Sequence, residues 1–267
     1  MQDYDFHLIN KRVTHLGKIK AKEMMLPLDA ATLLIAVFAG SILQAGVGIG
    51  FSIVVAPFMM IMLGTATAVP LLLLLNTLVS LVALDRASWR GETETIRLSI
   101  VGALCGIAFG LAVYSLLSET TLLLLTASFL LVGLLLNLLP SLPVFGRNSV
   151  VAISGVSGLT TAWAAMPGPL MIMGLLASGR TSKEARVLVQ PVAFVAYGVA
   201  FALHGLINWN LVAHAPWLVG FIGSTLVGAF VGRVIGPYLP QQFIKYSICV
   251  ISALACIALV HRAFLLG

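Results

Sequence analysis

Three glycines at 46, 48 and 50 follow Gln44 inside one long apolar run, "QAGVGIGFSIVVAP" (44–57). A second apolar run is interrupted by "AAMPGP" (164–169), which places Met166 and Gly168 just after Trp163. Residues of these types break a helix and let the next one begin. The first amides of the new helix have no partner within it, and its start carries a partial positive charge. Glycine also lets main chain approach a ligand with no Cβ in the way. The chemistry this pattern suits is capture of an anion by backbone N–H groups. Neutral donors lie nearby in sequence. Asn76 and Gln190 are carboxamides in the helices that follow each break, and Tyr197 shares a helical face with Gln190. We expect Gln44, Gly46, Gly48, Gly50, Asn76, Trp163, Met166, Gly168, Gln190 and Tyr197 to line a substrate site. Arg86, Arg180 and Lys183 flank the apolar runs and are expected to form an entrance that attracts anions.

Other chemistries fit less well. The three cysteines, Cys105, Cys249 and Cys256, form no CxxC pair, and no metal-ligand spacing occurs. No metal or cofactor is expected. No acidic residue falls in the middle of an apolar run, so no carboxylate proton relay is evident. "GVSG" (155–158) matches the GxSG pattern of intramembrane serine hydrolases, with Ser157 as nucleophile and His204 as base. That reading is kept as the alternative, as is a membrane scaffold that transports nothing. The plainer reading of the glycines is close helix packing, and of the amides, hydrogen bonding between helices.

The elements that would hold these residues are membrane helices. Sixty per cent of the 267 residues are hydrophobic and 9% are charged, with a mean hydropathy of +1.08, where an average chain carries about 25% charged residues. The chain reads as an all-α polytopic protein in contact with the lipid bilayer, expected in a cell inner membrane as a multi-pass protein. The net charge of +6 reports loops facing a cytoplasm rather than nucleic acid. Apolar runs fall at 29–45 and 51–63, 67–84, 97–117 and 120–139, then 149–162 and 168–177, 184–204, 211–235 and 242–264. Two halves emerge, each an interrupted segment followed by three helices. Glycines 102, 106 and 110 of the first half match Gly220, Ser224 and Gly228 of the second at constant offset. The division is a basic N-terminal extension (1–28), repeat 1 (29–140), a linker (141–148) and repeat 2 (149–267). The extension reads as an amphipathic interfacial helix or a plain basic segment, and not as a cleavable signal. Each arm of an interrupted segment is shorter than a full crossing, which favours re-entrant half-helices and inverted repeats. The oligomeric state is left open, a homodimer included.

"GSILQAGVGIGFSIVVAP" (40–57) resembles the opening of the sulfite exporter TauE/SafE family, also called the toluenesulfonate uptake permeases. "GVSGLTTAWAAMPGPLMIMGLLASGRTSKEA" (155–185) resembles the start of that family's second repeat, with "AAMPGP" where "GIGGGP" is usual. The resemblance spans roughly 29–266. It implies a secondary transporter moving a small sulfur-containing anion: sulfite, or an organosulfonate such as sulfoacetate, isethionate or a taurine-derived product. Met166 and Pro167 in place of glycines imply a tighter or differently shaped pocket.

Overall fold

The computed structural model describes residues 27–48, 50–84, 92–138, 148–166, 168–213, 217–238 and 240–266. Nearly all of the N-terminal extension, Arg86 and nearly all of the expected linker lie outside the described residues. Ten α-helices, a short 3-10 turn and no strand occur among the described residues. Helices α1 (Pro27–Val47), α2 (Phe51–Leu63), α3 (Thr65–Ala83), α4 (Thr93–Tyr114) and α5 (Glu119–Leu138) form the first half. Helices α6 (Asn148–Ala164), α7 (Gly168–Ala177), α8 (Ser182–Ala213), α9 (Leu218–Ile235) and α10 (Gln241–Leu266) form the second. Six of them are long and apolar enough to cross a membrane. The chain is therefore an all-helical, multi-pass membrane protein.

Both interruptions occur where the glycines and proline place them, between α1 and α2 and between α6 and α7. The arms differ from the expected lengths. Helix α1 has 21 residues, about 31 Å at 1.5 Å per residue, and is itself long enough to span. Asp29 in its first turn suits the helix dipole, and Ala45 and Gly46 do not stop it before Val47. Helix α7, at 10 residues, is a true half-helix of about 15 Å. The polar stretch "INWNL" (207–211), which separates the apolar runs read at 184–204 and 211–235, lies inside α8. Pro216 is the stronger punctuation, because the residue before a proline is biased away from helix. The chain re-enters helix after Trp217 at φ 62°.

Every acidic residue among the described ones sits at a helix start. Asp29, Glu94, Glu119 and Glu184 are in first turns, and Glu92 is the residue that precedes α4. At α8 the cap is reciprocal: Glu184 accepts from the Thr181 amide at 2.8 Å, and the Glu184 amide donates to the Thr181 hydroxyl at 3.3 Å. Carboxylates are thus used to close helix ends, and none lies at the interruptions.

The halves interlock through small residues. Helix α4 packs along α6, and α9 packs along α1, so each half lends its fourth helix to the first helix of the other. A side chain at Gly102, Gly106 or Gly158 would strike main chain of the facing helix at Val151, Gly155 or Ala103. At the other seam Gly228, Gly232 and Gly236 lie against Phe38, Ile42 and Gly46. Ser224, in the same stripe, donates to the Leu34 carbonyl at 2.9 Å. The α3–α8 and α5–α10 pairs also join like elements of the two halves. Without a hydrophobic driving force in lipid, such close backbone approach is what holds helices together.

Candidate functional site

The first interruption is built from left-handed backbone. Gly48 has φ 96° and Gly50 φ 134°, values that a side chain strongly disfavours. The Gly48 amide closes α1 on the Gln44 carbonyl at 2.9 Å, and α2 starts at Phe51. The Gln44 side chain then reaches across the gap, where its Oε1 accepts from the Phe51 amide at 3.4 Å. Gln44 thereby occupies one orphan donor of the new helix with a neutral oxygen of its own.

The second interruption turns at Ala165, φ 53°, with no glycine to relieve it. Hydrogen bonds hold it from three sides. The Ala165 amide donates to the Thr161 carbonyl at 2.9 Å, and the Met166 amide to the Thr160 carbonyl at 3.3 Å. The Thr160 hydroxyl donates to the Met166 carbonyl at 2.9 Å. The Ser52 hydroxyl, from the first turn of α2, donates to the Ala165 carbonyl. A strained residue persists only where its surroundings over-determine it, and here one of those surroundings is the other interruption.

Ser52 is the centre of the arrangement, and the sequence reading passed over it. It is 5% exposed. Asn76 of α3, fully buried, donates through Nδ2 to Ser52 Oγ at 2.9 Å and to the Leu72 carbonyl at 2.8 Å. The Tyr197 side chain of α8 faces the same hydroxyl. One hydroxyl therefore ties α2 and α3 to the turn before α7. The signal for it was a serine two residues after a glycine break in an otherwise apolar run, a helix-start position where serine hydroxyls find work.

The structure gathers Gln44, Gly48, Gly50, Asn76, Gln190 and Tyr197 around this hub. A Cβ on Gly48 would lie 3.2 Å from Gln190 Nε2, so α8 abuts the first interruption directly. Gln190 Oε1 and Asn76 Oδ1 are buried and have no hydrogen-bond partner. Asn76 spends both amide hydrogens on Ser52 and Leu72, so what it still offers is an acceptor. Met166 is buried beside the second turn, and Gly168 begins α7.

Two of the expected residues have other occupations. Gly46 packs against Gly232 and Gly236 of α9, which is the close-packing use of glycine. The Trp163 indole donates to the Gly110 carbonyl at 2.9 Å and stacks on Phe129. Of the expected entrance, Lys183 lies in the first turn of α8. Arg180 is engaged by Glu92 in a two-pronged ion pair, with Nη2 to Oε2 at 2.7 Å. Ser157 is fully buried, with its carbonyl accepting from Thr160 and Thr161. His204 Nε2 meets the Ala162 carbonyl at 3.2 Å, its ring edge-on to Tyr114. Among the described residues no group of three or more His, Cys, Asp or Glu is placed to hold a metal.

Two interrupted helices are thus cross-linked at their turns and surrounded by uncharged donors and acceptors inside apolar protein. Irregular backbone at membrane depth is tolerated where protein buries it or where it lines a cavity. No curated protein and no solved structure matches the chain significantly. A family model does match, that of the sulfite exporter TauE/SafE, over residues 32–259. That span includes both interruptions and all ten helices in whole or in part, and the chain belongs to the sulfite exporter TauE/SafE family of membrane transporters.

Proposed function

We propose that the protein is a secondary transporter of a sulfur oxyanion, sulfite or a small organosulfonate, and that the guest binds between the two interruptions. The observation that carries this reading is the Ser52–Ala165 hydrogen bond, which holds the start of one half's helix against the turn of the other. Helix starts at Phe51 and Gly168 would face the guest with main-chain donors and a favourable dipole. Gln44 Oε1 holds the place of a guest oxygen at the Phe51 amide, and a bound oxyanion would displace it. The freed carboxamide can then turn its Nε2 to the guest. Gln190, beside Gly48, is the second side-chain donor. Asn76 and Tyr197 position Ser52. Met166 packs against whatever tail the anion carries.

The protein works by alternating access, with the halves acting as inverted repeats. The seams α4–α6 and α9–α1 move as rigid pairs because their backbones touch. The contacts around Ser52 are the ones remade, since each crosses from one half to the other or reaches an interruption. Family membership, buried neutral polar groups and carboxylates confined to helix ends all favour a carrier over the hydrolase reading of Ser157 and His204.

The test is uptake of labelled sulfite, isethionate and sulfoacetate into liposomes that hold only this chain. The expected result is saturable accumulation of at least one of the three. It should fall at least tenfold in Gln44→Leu and Gln190→Leu, as loss of a hydrogen bond to a charged guest, about 1.5–3 kcal/mol, requires. Accumulation no greater than in empty liposomes for all three would refute the reading.

A further inference from the structure

A second polar locus lies away from the interruptions, where helix α7 ends. Gly179, at φ 86°, turns the chain, and the Arg180 amide donates back to the Leu175 carbonyl at 3.2 Å. This fixes the root of Arg180. Its guanidinium takes the Glu92 carboxylate in a fork, and Glu92 Oε2 also accepts from the Thr95 hydroxyl at 2.9 Å. The pair joins residues of opposite halves. Beside it is a cavity of about 240 Å³, bounded by Glu92, Glu94, Thr95, Val150, Ser178 and Arg180. Thr95 belongs to the first turn of α4 and Val150 to the first turn of α6.

This vestibule has the parts of an oxyanion site. The starts of α4 and α6 bring positive field to it, against which the Glu94 carboxylate on the same wall is set. An arginine fork matches the paired oxygens of a carboxylate, and equally those of a sulfonate or sulfite. The cavity is large enough for a small anion beside the fork. What occupies the fork is a carboxylate from the chain itself. Arg180 and Glu92 are 31% and 34% exposed, so water reaches the pair, and an ion pair this accessible holds its partners only weakly.

We propose that the vestibule is a second, peripheral oxyanion-binding site, and that Glu92 is a tethered competitor which the incoming anion displaces from Arg180. The identity of the anion rests on the transport reading above, whereas the existence of the site does not. With no anion present, Glu92 holds the two halves together at this end. An arriving anion takes the guanidinium and frees Glu92, which unties the α7–α8 turn from the start of α4.

The experiment is calorimetric titration of the purified full chain with sodium sulfite and with sodium isethionate at constant ionic strength. Glu92→Gln is expected to bind at least one of them ten times or more tighter than the unaltered chain. The double variant Glu92→Gln/Arg180→Gln should lose that gain. Thr95→Val leaves both charged partners in place and removes one hydrogen bond that holds Glu92, so it should tighten binding two- to threefold. No gain in Glu92→Gln and none in Thr95→Val, or a gain that survives loss of Arg180, would overturn the proposal. An Arg180-dependent gain in a protein that moves no sulfur anion in liposomes would retain the vestibule and remove the transport reading. Uptake without such a gain would do the reverse.

Discussion

At the scale of single residues, the proposed site turns on one hydroxyl, Ser52, that no motif singled out. Removing it in Ser52→Ala leaves the Ala165 carbonyl and the Asn76 amide without their partner in a buried setting. Each such orphan costs about 1–3 kcal/mol. The expected outcome is a lower thermal unfolding midpoint in detergent, together with at least tenfold slower uptake. A midpoint and a rate equal to those of the unaltered chain would show that Ser52 is not the hub. Gly48→Ala tests a different term. Alanine at φ 96° pays about 1–2 kcal/mol for left-handed backbone, and its methyl would press on Gln190 Nε2. Uptake should suffer more than stability, because the displaced group is a proposed donor. Gln44 and Gln190 were legible as candidates from their type and place. Ser52 was not, because a lone serine in a membrane helix more often bonds its own preceding turn, as Ser41 does to Val37 at 2.7 Å.

At the scale of elements, glycines with identical sequence signatures do different things. Gly48 and Gly50 are needed for their backbone angles, whereas Gly106 is needed for what it faces. Its missing Cβ would overlap the Gly155 carbonyl. Gly106→Val should force α4 and α6 apart and abolish recovery of folded protein. Gly223→Val, on α9 with nothing within 4 Å of the new Cβ, should be recovered at normal yield. Size-exclusion profiles of the two variants check the contrast, and equal behaviour would mean that the α4–α6 seam tolerates separation. The element pattern itself was readable: hydropathy set the helices and the breaks fell where the glycines and proline predicted. Lengths were less so. Helix α1 outran its apolar stretch, and α8 absorbed "INWNL", because a helix once started continues through tolerable residues until a strong stop.

At the scale of the whole molecule, the exchange of partners between halves makes neither half self-sufficient. Helix α1 finds its closest packing on α9, and α6 on α4. Residues 27–138 and 148–267 expressed as separate fragments should therefore fail to yield stable protein alone. Co-expressed, they should co-purify as a complex. Stable folding of either fragment by itself would contradict the interlock. On the alternating-access reading proposed above, the contacts that remake would lie between the seams, while the seams hold the halves together.

What the sequence by itself determined was the class of protein, the order of its helices and the two places where apolar runs are interrupted. Those features follow from local physics: how long an apolar run lasts, and where backbone must turn left-handed or lacks a donor. What only the tertiary structure decided was which polar groups meet. Ser52 and Ala165 are 113 residues apart in the chain, and Glu92 and Arg180 are 88 apart. Their pairing depends on how helices of the two halves pass one another, a geometry set by glycine-to-backbone packing along whole seams and by no short stretch of sequence.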